Sequence, residues 1–416
     1  MKFRISLSTV LCLFLLIPAL TSLSAQPSGT WATGSVTGFT PRTFLCSAEV
    51  GGKIYVIGGH PNTIGGVLTT LEVFDPSVNS WSTPATTGMF TARGGLCASV
   101  VGGKIYVIGG ADGTFNAVNK LEVFDPTSNT WSTPVTSGTF TPRYRLVSAV
   151  VKGKIYVIGG ANGAGGTTAI NALEVFDPLT NAWSTPVTTG TFTARRGSAI
   201  AVVADKIYVM GGSGAAANYL NVLEVFDPST NTWSTPVTIG SLTTRAGLAA
   251  AEVNGRIYAM GGYDGATMFN IVEAFDPSTN TWSTTATTGV FTERSGAAAS
   301  VVGGKIYVVG GANLKPMVGH NEVFSPSSQS VAFGNVSAAG IQLLPNPTTG
   351  LVTVHCAPIS GMQVSVTNIL GKIVYAKTFS SQTPELTFDL STLPSGAYLA
   401  RFLSMGSVIN RTIIRK

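Results

Sequence analysis

The sequence predicts an all-β protein built from a repeated four-stranded unit, and three observations carry that prediction. The octapeptide GKIYVIGG at residues 103–110 returns unchanged at 153–160, and GGKIYVVGG echoes it at 303–311. Double glycines at Gly58-Gly59, Gly109-Gly110, Gly159-Gly160, Gly211-Gly212, Gly261-Gly262 and Gly310-Gly311 lie 51, 50, 52, 50 and 49 residues apart, the mark of a repeat architecture. Glycine (49 residues) and proline (21) punctuate short apolar runs, as many short strands and tight turns require. At 416 residues, 44% hydrophobic and 11% charged, the chain has the composition of a well-buried globular protein and not of a disordered one.

The elements follow in chain order. Lys2 and Arg4 precede an apolar run at 10–20 and small residues at 22–25, so residues 1–25 read as a secretory signal peptide cleaved before Gln26. No later stretch reaches the ~20 apolar residues of a spanning helix, so no transmembrane segment is expected after signal cleavage. The formal charge of +6 belongs to the two ends: apart from Lys2, Arg4 and the tail 341–416, the chain holds 17 basic and 17 acidic side chains. A neutral repeat region argues against a nucleic-acid partner. Cys46 and Cys97 each stand four residues after an arginine in successive units, where other units have Val147 or Ala199. They read as small buried residues, with a disulfide as the alternative.

Each unit divides into four strands. In the second unit these are LCASVV, KIYVIGG, LEVFDP and a Trp-led WSTPV. GGK and NGR supply hairpin turns between the first two strands, and DPSTNTW supplies Pro, Asn and Ser for the turn into the fourth. Six arginines (Arg42, Arg93, Arg143, Arg195, Arg245, Arg294) recur before the first strand and six glutamates (Glu72, Glu122, Glu174, Glu224, Glu273, Glu322) in the third. A charge between packed sheets is tolerable only when partnered, so these are expected to pair. The tryptophans and the tyrosines (Tyr55, Tyr106, Tyr156, Tyr208, Tyr258, Tyr307) are expected to pack between sheets.

A double glycine after an apolar strand, then a Glu and an aromatic, then a Trp, is a pattern that resembles the kelch repeat. Five units carry all of it: Glu72, Phe74 and Trp81; Glu122, Phe124 and Trp131; Glu174, Phe176 and Trp183; Glu224, Phe226 and Trp233; Glu273, Phe275 and Trp282. The resemblance spans roughly residues 28–335 and implies a six-bladed β-propeller, here assigned residues 26–335, with one sheet per unit around a central channel. The sixth unit has Glu322 and Phe324 but no Trp, while GTWATGSVTGFTPR at 29–42 is a fourth strand with no first three. The strand at Trp31 is therefore expected to complete the sixth blade and close the ring, which removes an exposed sheet edge.

Alternation of strand direction puts the loops after the double glycines, and those leading to the next blade, on one face. These long loops differ from unit to unit and are rich in Asn, Asp and Thr, so this face is the expected binding surface for an extracellular glycan or protein ligand. Phe115, Tyr219, Tyr263 and Phe269 are candidate stacking platforms. Arg145, two residues after Arg143, and Arg196, next to Arg195, stand outside the repeat near the channel mouth, where a guanidinium can grip a carboxylate or sulfate. In kelch proteins that bind acidic ligands the position of Arg145 is often a contact, which the resemblance carries over to it. His60 and His320, in loops of the first and last blades, are candidate ligand contacts that ring closure would make neighbours. Two histidines do not make the copper site of kelch-type oxidases, so no metal, cofactor or catalytic residue is assigned. The enzymatic alternative on the same propeller is a metal-independent sugar epimerase of the mutarotase type.

Beyond Gly334 the repeat stops. Residues 336–342 read as a linker, and 343–416 as a small Ig-like β-sandwich of alternating strands and Pro-Gly turns. The segments LLPNPTTGLVTV, VSVTNILGKIVYAKTF, LTFDLSTLPSGAYLARF and INRTIIRK closely resemble the C-terminal sorting domain of the type IX secretion system. Matching residues are Pro345, Asn346, Pro347, Thr348 and Gly350; Gly371 and Lys372; Asp389, Leu390, Ser391, Leu393, Gly396 and Tyr398; and the basic run ending at Lys416. That resemblance implies a partner, the type IX machinery, and a destination, the medium or outer surface of a Gram-negative cell. The basic terminal residues are expected to suit contact with the translocon.

Overall fold

The computed structural model describes residues 26–327 and 342–416, apart from 36, 62–65, 164–167, 216–217 and 314–316 in the first span and 356–361, 369–371, 380–384 and 405–406 in the second. The expected signal peptide (1–25), most of the expected linker (336–342) and Gly371 lie outside the described residues. The chain divides into two compact units, Met1–Ser328 and Gln329–Lys416.

In the second repeat, Cys97–Val101, Lys104–Ile108, Leu121–Asp125 and Thr130–Ser132 pair in that order, antiparallel throughout. β-branched Ile105, Val107 and Val123 suit a pleated, crowded surface, and Ile105, Val107 and Ile108 are fully buried because packed sheets flank this strand on both faces. Among the described residues six sheets are built on this order, which we number as blades from the one starting at Cys46–Val50. Apolar clusters join each sheet to the next, and one of them joins Tyr307 and Val309 of blade 6 to Ile54, Val56 and Phe74 of blade 1, so the ring closes. The tyrosines pack as expected: Tyr106 meets Phe176 of the next blade with ring centres 6.0 Å apart, and Tyr307 meets Phe74 at 5.9 Å.

The recurring double glycine has a steric cause. Gly109 sits at φ +63°, and a Cβ there would come 2.7 Å from the carbonyl oxygen of Arg143 in the next blade. Only glycine allows the backbones to approach that closely while turning out of the strand.

The N-terminal ribbon Ser28–Thr33 pairs antiparallel with Asn321–Pro326, and Trp31 stands opposite Phe324 as Trp131 stands opposite Phe124 in blade 2. This is the closure the sequence implies. The parallel contacts on the outer edges were not foreseen. Ala286–Thr288 runs parallel to the ribbon, and single parallel bridges join Thr87 to Thr130, Ser137 to Ala182, Thr189 to Thr232 and Ile239 to Thr281. Each connection thereby covers the open edge of the next blade's outer strand before turning inward, which protects donors that would otherwise invite association.

All six Arg–Glu pairs form within their own blades. In blade 2 the Glu122 carboxylate accepts from Arg93 and from Thr91 Oγ1 (2.7 Å), while Arg93 Nε donates to the Gly109 carbonyl (2.7 Å). The arginine therefore binds the double-glycine turn to the third strand. Burial pushes the guanidinium pKa down at Arg42, Arg143, Arg195 and Arg245, and at Arg294 to about 10, with the paired glutamate opposing in each case. Cys46 and Cys97 are free and buried, as small core residues, and burial raises the Cys97 thiol to about 11.

One buried position breaks the pattern. Where blades 1 to 5 begin the third strand with Leu71, Leu121, Leu173, Leu223 and Val272, blade 6 has Asn321, fully buried. Among the described residues neither side-chain polar atom of Asn321 has a hydrogen-bond partner. Since an unmet buried polar group costs about 1–3 kcal/mol, Asn321→Leu should stabilise the propeller by ~1–2 kcal/mol and raise its melting temperature by a few degrees. A calorimetric scan showing no rise would refute that expectation.

The second unit is a sandwich. Gln342–Leu344, Leu351–His355 and Glu385–Asp389 form one sheet; Ile373–Phe379, Met362–Asn368, Gly396–Ser404 and Ser407–Arg415, in that spatial order, form the other. Its core comprises Val352, Val354 and Phe388 from the first sheet and Val364, Val366, Ala400, Phe402 and Ile413 from the second.

Candidate functional site

The innermost strand of each blade has one edge unpaired by its own sheet, and the six edges surround the channel. Just before each innermost strand lies a residue in the left-handed region: Phe44 (φ +52°), Gly95 (+66°), Arg145 (+53°), Gly197 (+61°), Gly247 (+65°) and Gly296 (+69°). Their peptides bond from blade to blade. Phe44 N donates to Gly296 O (2.8 Å), Gly95 N to Phe44 O (2.7 Å), Arg145 N to Gly95 O (2.6 Å), Gly197 N to Arg145 O (2.8 Å), Gly247 N to Gly197 O (2.8 Å) and Gly296 N to Gly247 O (2.8 Å). The six bonds close a head-to-tail circle at the long-loop mouth of the channel. A cavity of about 290 Å³ is lined by these residues and the starts of the inner strands, Ser47, Ser148 and Ser198 among them.

Four blades place glycine on the circle, and two place a side chain there. Arg145 and Phe44, from blades 3 and 1, meet above Gly95: the guanidinium carbon lies 4.2 Å from the centre of the Phe44 ring and 5.9 Å from that of Tyr144. Arg145 makes no salt bridge among the described residues. Burial lowers its pKa, and Arg196 adds to that from the next blade while Tyr144 and Tyr219 oppose it. The Arg145 guanidinium thus lines the cavity with an aromatic platform between blades, and Arg196 acts on it from the next blade. This arrangement can take an anionic group against Arg145 and a flat apolar surface against the rings.

The first residue of each variable loop is pinned beside the circle by an antiparallel bridge, as in Thr43–His60, Arg196–Ser213 and Ala246–Tyr263. His60 stacks on Phe115 (5.4 Å) and meets the edge of Phe44 (6.2 Å); burial pushes its pKa down. Tyr219 and Tyr263 meet edge to face at 5.9 Å. These residues and the two arginines share the mouth. Two expected residues do not join them. Phe269 faces Arg245 of its own blade, 6.0 Å from ring centre to guanidinium. His320 lies 3.4 Å from Glu322 of its own blade, while His60 turns to Phe115 of blade 2. No group of three metal-binding side chains occurs among the described residues. Phe44 escaped the sequence reading, although it occupies the same place after Arg42 as Arg145 does after Arg143, where the other four blades have glycine.

In the sandwich, the sorting residues gather at one corner. Asn346 Nδ2 donates to Thr412 O (2.7 Å) and Asn346 Oδ1 accepts from Ile414 N (2.9 Å). Thr348 is buried, and Gly350 packs so tightly on Ser391 that a Cβ would fall 2.6 Å from that side chain. Asp389 accepts from Ser391 N (2.8 Å), and Tyr398 OH donates to Pro394 O (2.7 Å) beside Leu393 and Gly396. Pro345, Pro347 and Lys416 are exposed. The basic terminus is only partly displayed: Arg415 folds inward, Nε donating to Leu390 O (2.9 Å) and Nη2 to Ser391 O (2.6 Å).

Compared with known families, residues 44–243 and 149–357 match the KLHDC2/KLHL20/DRC7 Kelch-repeats domain, and residues 342–416 match the Secretion system C-terminal sorting domain. No curated protein matches the chain.

Proposed function

The chain belongs to the kelch-repeat family and carries a C-terminal sorting domain that directs it out of the cell, and from that premise we propose that it is an extracellular binding protein. Its propeller presents the channel mouth to a glycan or protein partner bearing an anionic group. One observation supports this most: Arg145 holds its guanidinium over Phe44 at the edge of the cavity with no carboxylate bound to it among the described residues. A half-buried cation beside a second cation is unfavourable in the unliganded fold, and an anionic ligand relieves it.

The test is a screen of the exported protein on arrayed acidic and neutral glycans and acidic peptides. Acidic members should be retained selectively, with affinity falling as salt rises. Arg145→Ala should weaken binding by roughly 10- to 100-fold, the equivalent of a charge-assisted hydrogen bond, while the melt stays unchanged. Equal retention of neutral probes, or full affinity in Arg145→Ala, would count against the reading.

A further inference from the structure

We propose that the sorting signal is a folded clasp, in which Asn346 and Arg415 are positioning residues that fix the final strand, and that the export machinery reads the resulting corner as a shape.

Ser407–Arg415 is the edge of its sheet, so one row of its backbone groups has no ladder partner. A chain end in that situation normally frays. Here the outward row is completed at three successive outward residues. Besides the two bonds from Asn346 to Thr412 and Ile414, Thr348 N donates to Ile414 O (2.8 Å) and Lys416 N donates to Thr348 O (2.9 Å). From another side the Arg415 fork holds two adjacent carbonyls of the turn that Asp389 organises. A segment 66–68 positions away and another 24–25 positions away therefore hold the last five residues from two sides.

This arrangement changes what the basic terminus can offer. The Arg415 guanidinium is bound to the Leu390 and Ser391 carbonyls, whereas Lys416 is exposed, as are Pro345 and Pro347. A guanidinium spent on two carbonyls is a geometric element, because only its planar fork spans both. The partner that fits is a protein of the export machinery with a preformed surface for this corner, in place of one that attracts a flexible cationic tail.

Full-length variants in a secreting host test the proposal by comparing medium and periplasm, alongside the melting of each purified full-length protein. Asn346→Ala should cut export at least tenfold, as should removal of residues 414–416, although Asn346 is far from the terminus in sequence. Asn346→Asp, which keeps the acceptor for Ile414 N and gives up the donor to Thr412 O, should fall between. Arg415→Lys keeps the charge and loses the fork, so it should fail like Arg415→Ala. Val366→Ala, a core truncation away from the corner, supplies a matched loss of stability. If Val366→Ala loses export as severely as Asn346→Ala at equal loss of melting temperature, the corner acts only through stability and the proposal falls. Normal export of Arg415→Lys would also overturn it, since charge alone would then suffice.

Discussion

Deleting residues 29–40 is expected to lower the melting temperature of the propeller by ~10 °C or more. The ribbon contributes the outer strand of blade 6, paired over five positions with Asn321–Pro326. It also contributes Trp31, which is 6% exposed and stacks on Phe291 at 4.2 Å. Loss of a buried Trp alone removes about 3–5 kcal/mol, and for a domain of this size each kcal/mol is worth roughly 2–4 °C. The deletion also strips Thr40 from Glu72, whose carboxylate accepts from Thr40 Oγ1 at 2.6 Å, so blade 1 is weakened together with blade 6. Trp31→Ala should reproduce about half of the shift. A scan in which the deleted protein melts with the parent would show that the ring closes without this ribbon.

Glu122→Ala is the second large effect. It leaves the Arg93 guanidinium, fully buried, without its counter-charge and frees two donors of Thr91. Removing one partner of a buried pair costs about 3–5 kcal/mol because the other charge stays behind, and the melt should drop by roughly 10 °C. The neighbouring Lys104–Asp125 pair, 3.2 Å apart with half of the lysine side chain in solvent, gives the contrast. Asp125→Ala should shift the melt far less than Glu122→Ala, because solvent screens the exposed pair. Similar shifts in the two variants would mean that burial does not set the value of these pairs.

What could be read in advance follows from what repeats. Strand order, the Arg–Glu pairs, the packing of Tyr106 on Phe176 and closure at Trp31 rest on residues that recur at fixed spacing, so one correct unit fixes the others. The parallel bridges such as Ser137–Ala182 and Ile239–Thr281 left no trace, because their bonds run between backbone groups, and only at Thr87–Thr130 and Thr189–Thr232 do paired hydroxyls add to them. Phe44 was hidden for a related reason: it lies in a column of glycines and signals itself only when all six units are compared at that place. Ring closure brings the loops of His60 and His320 together but does not decide which way each side chain turns: His60 stacks on Phe115, and His320 meets Glu322. In the sandwich the motif residues were legible, but their joint grip on Arg415 and Ile414 depends on hydrogen bonds across 24 to 68 positions and was not.

The circle of peptides at the mouth also counts. Near-identical units of about 50 residues are prone to duplication and loss, and nothing in a single unit states how many there should be. A loop of six bonds, each 2.6–2.8 Å long, has one circumference. A seventh copy would widen the circle and a missing one would narrow it, changing the angle between neighbouring peptides at every link, so a change in copy number is felt at the hub before any ligand is involved.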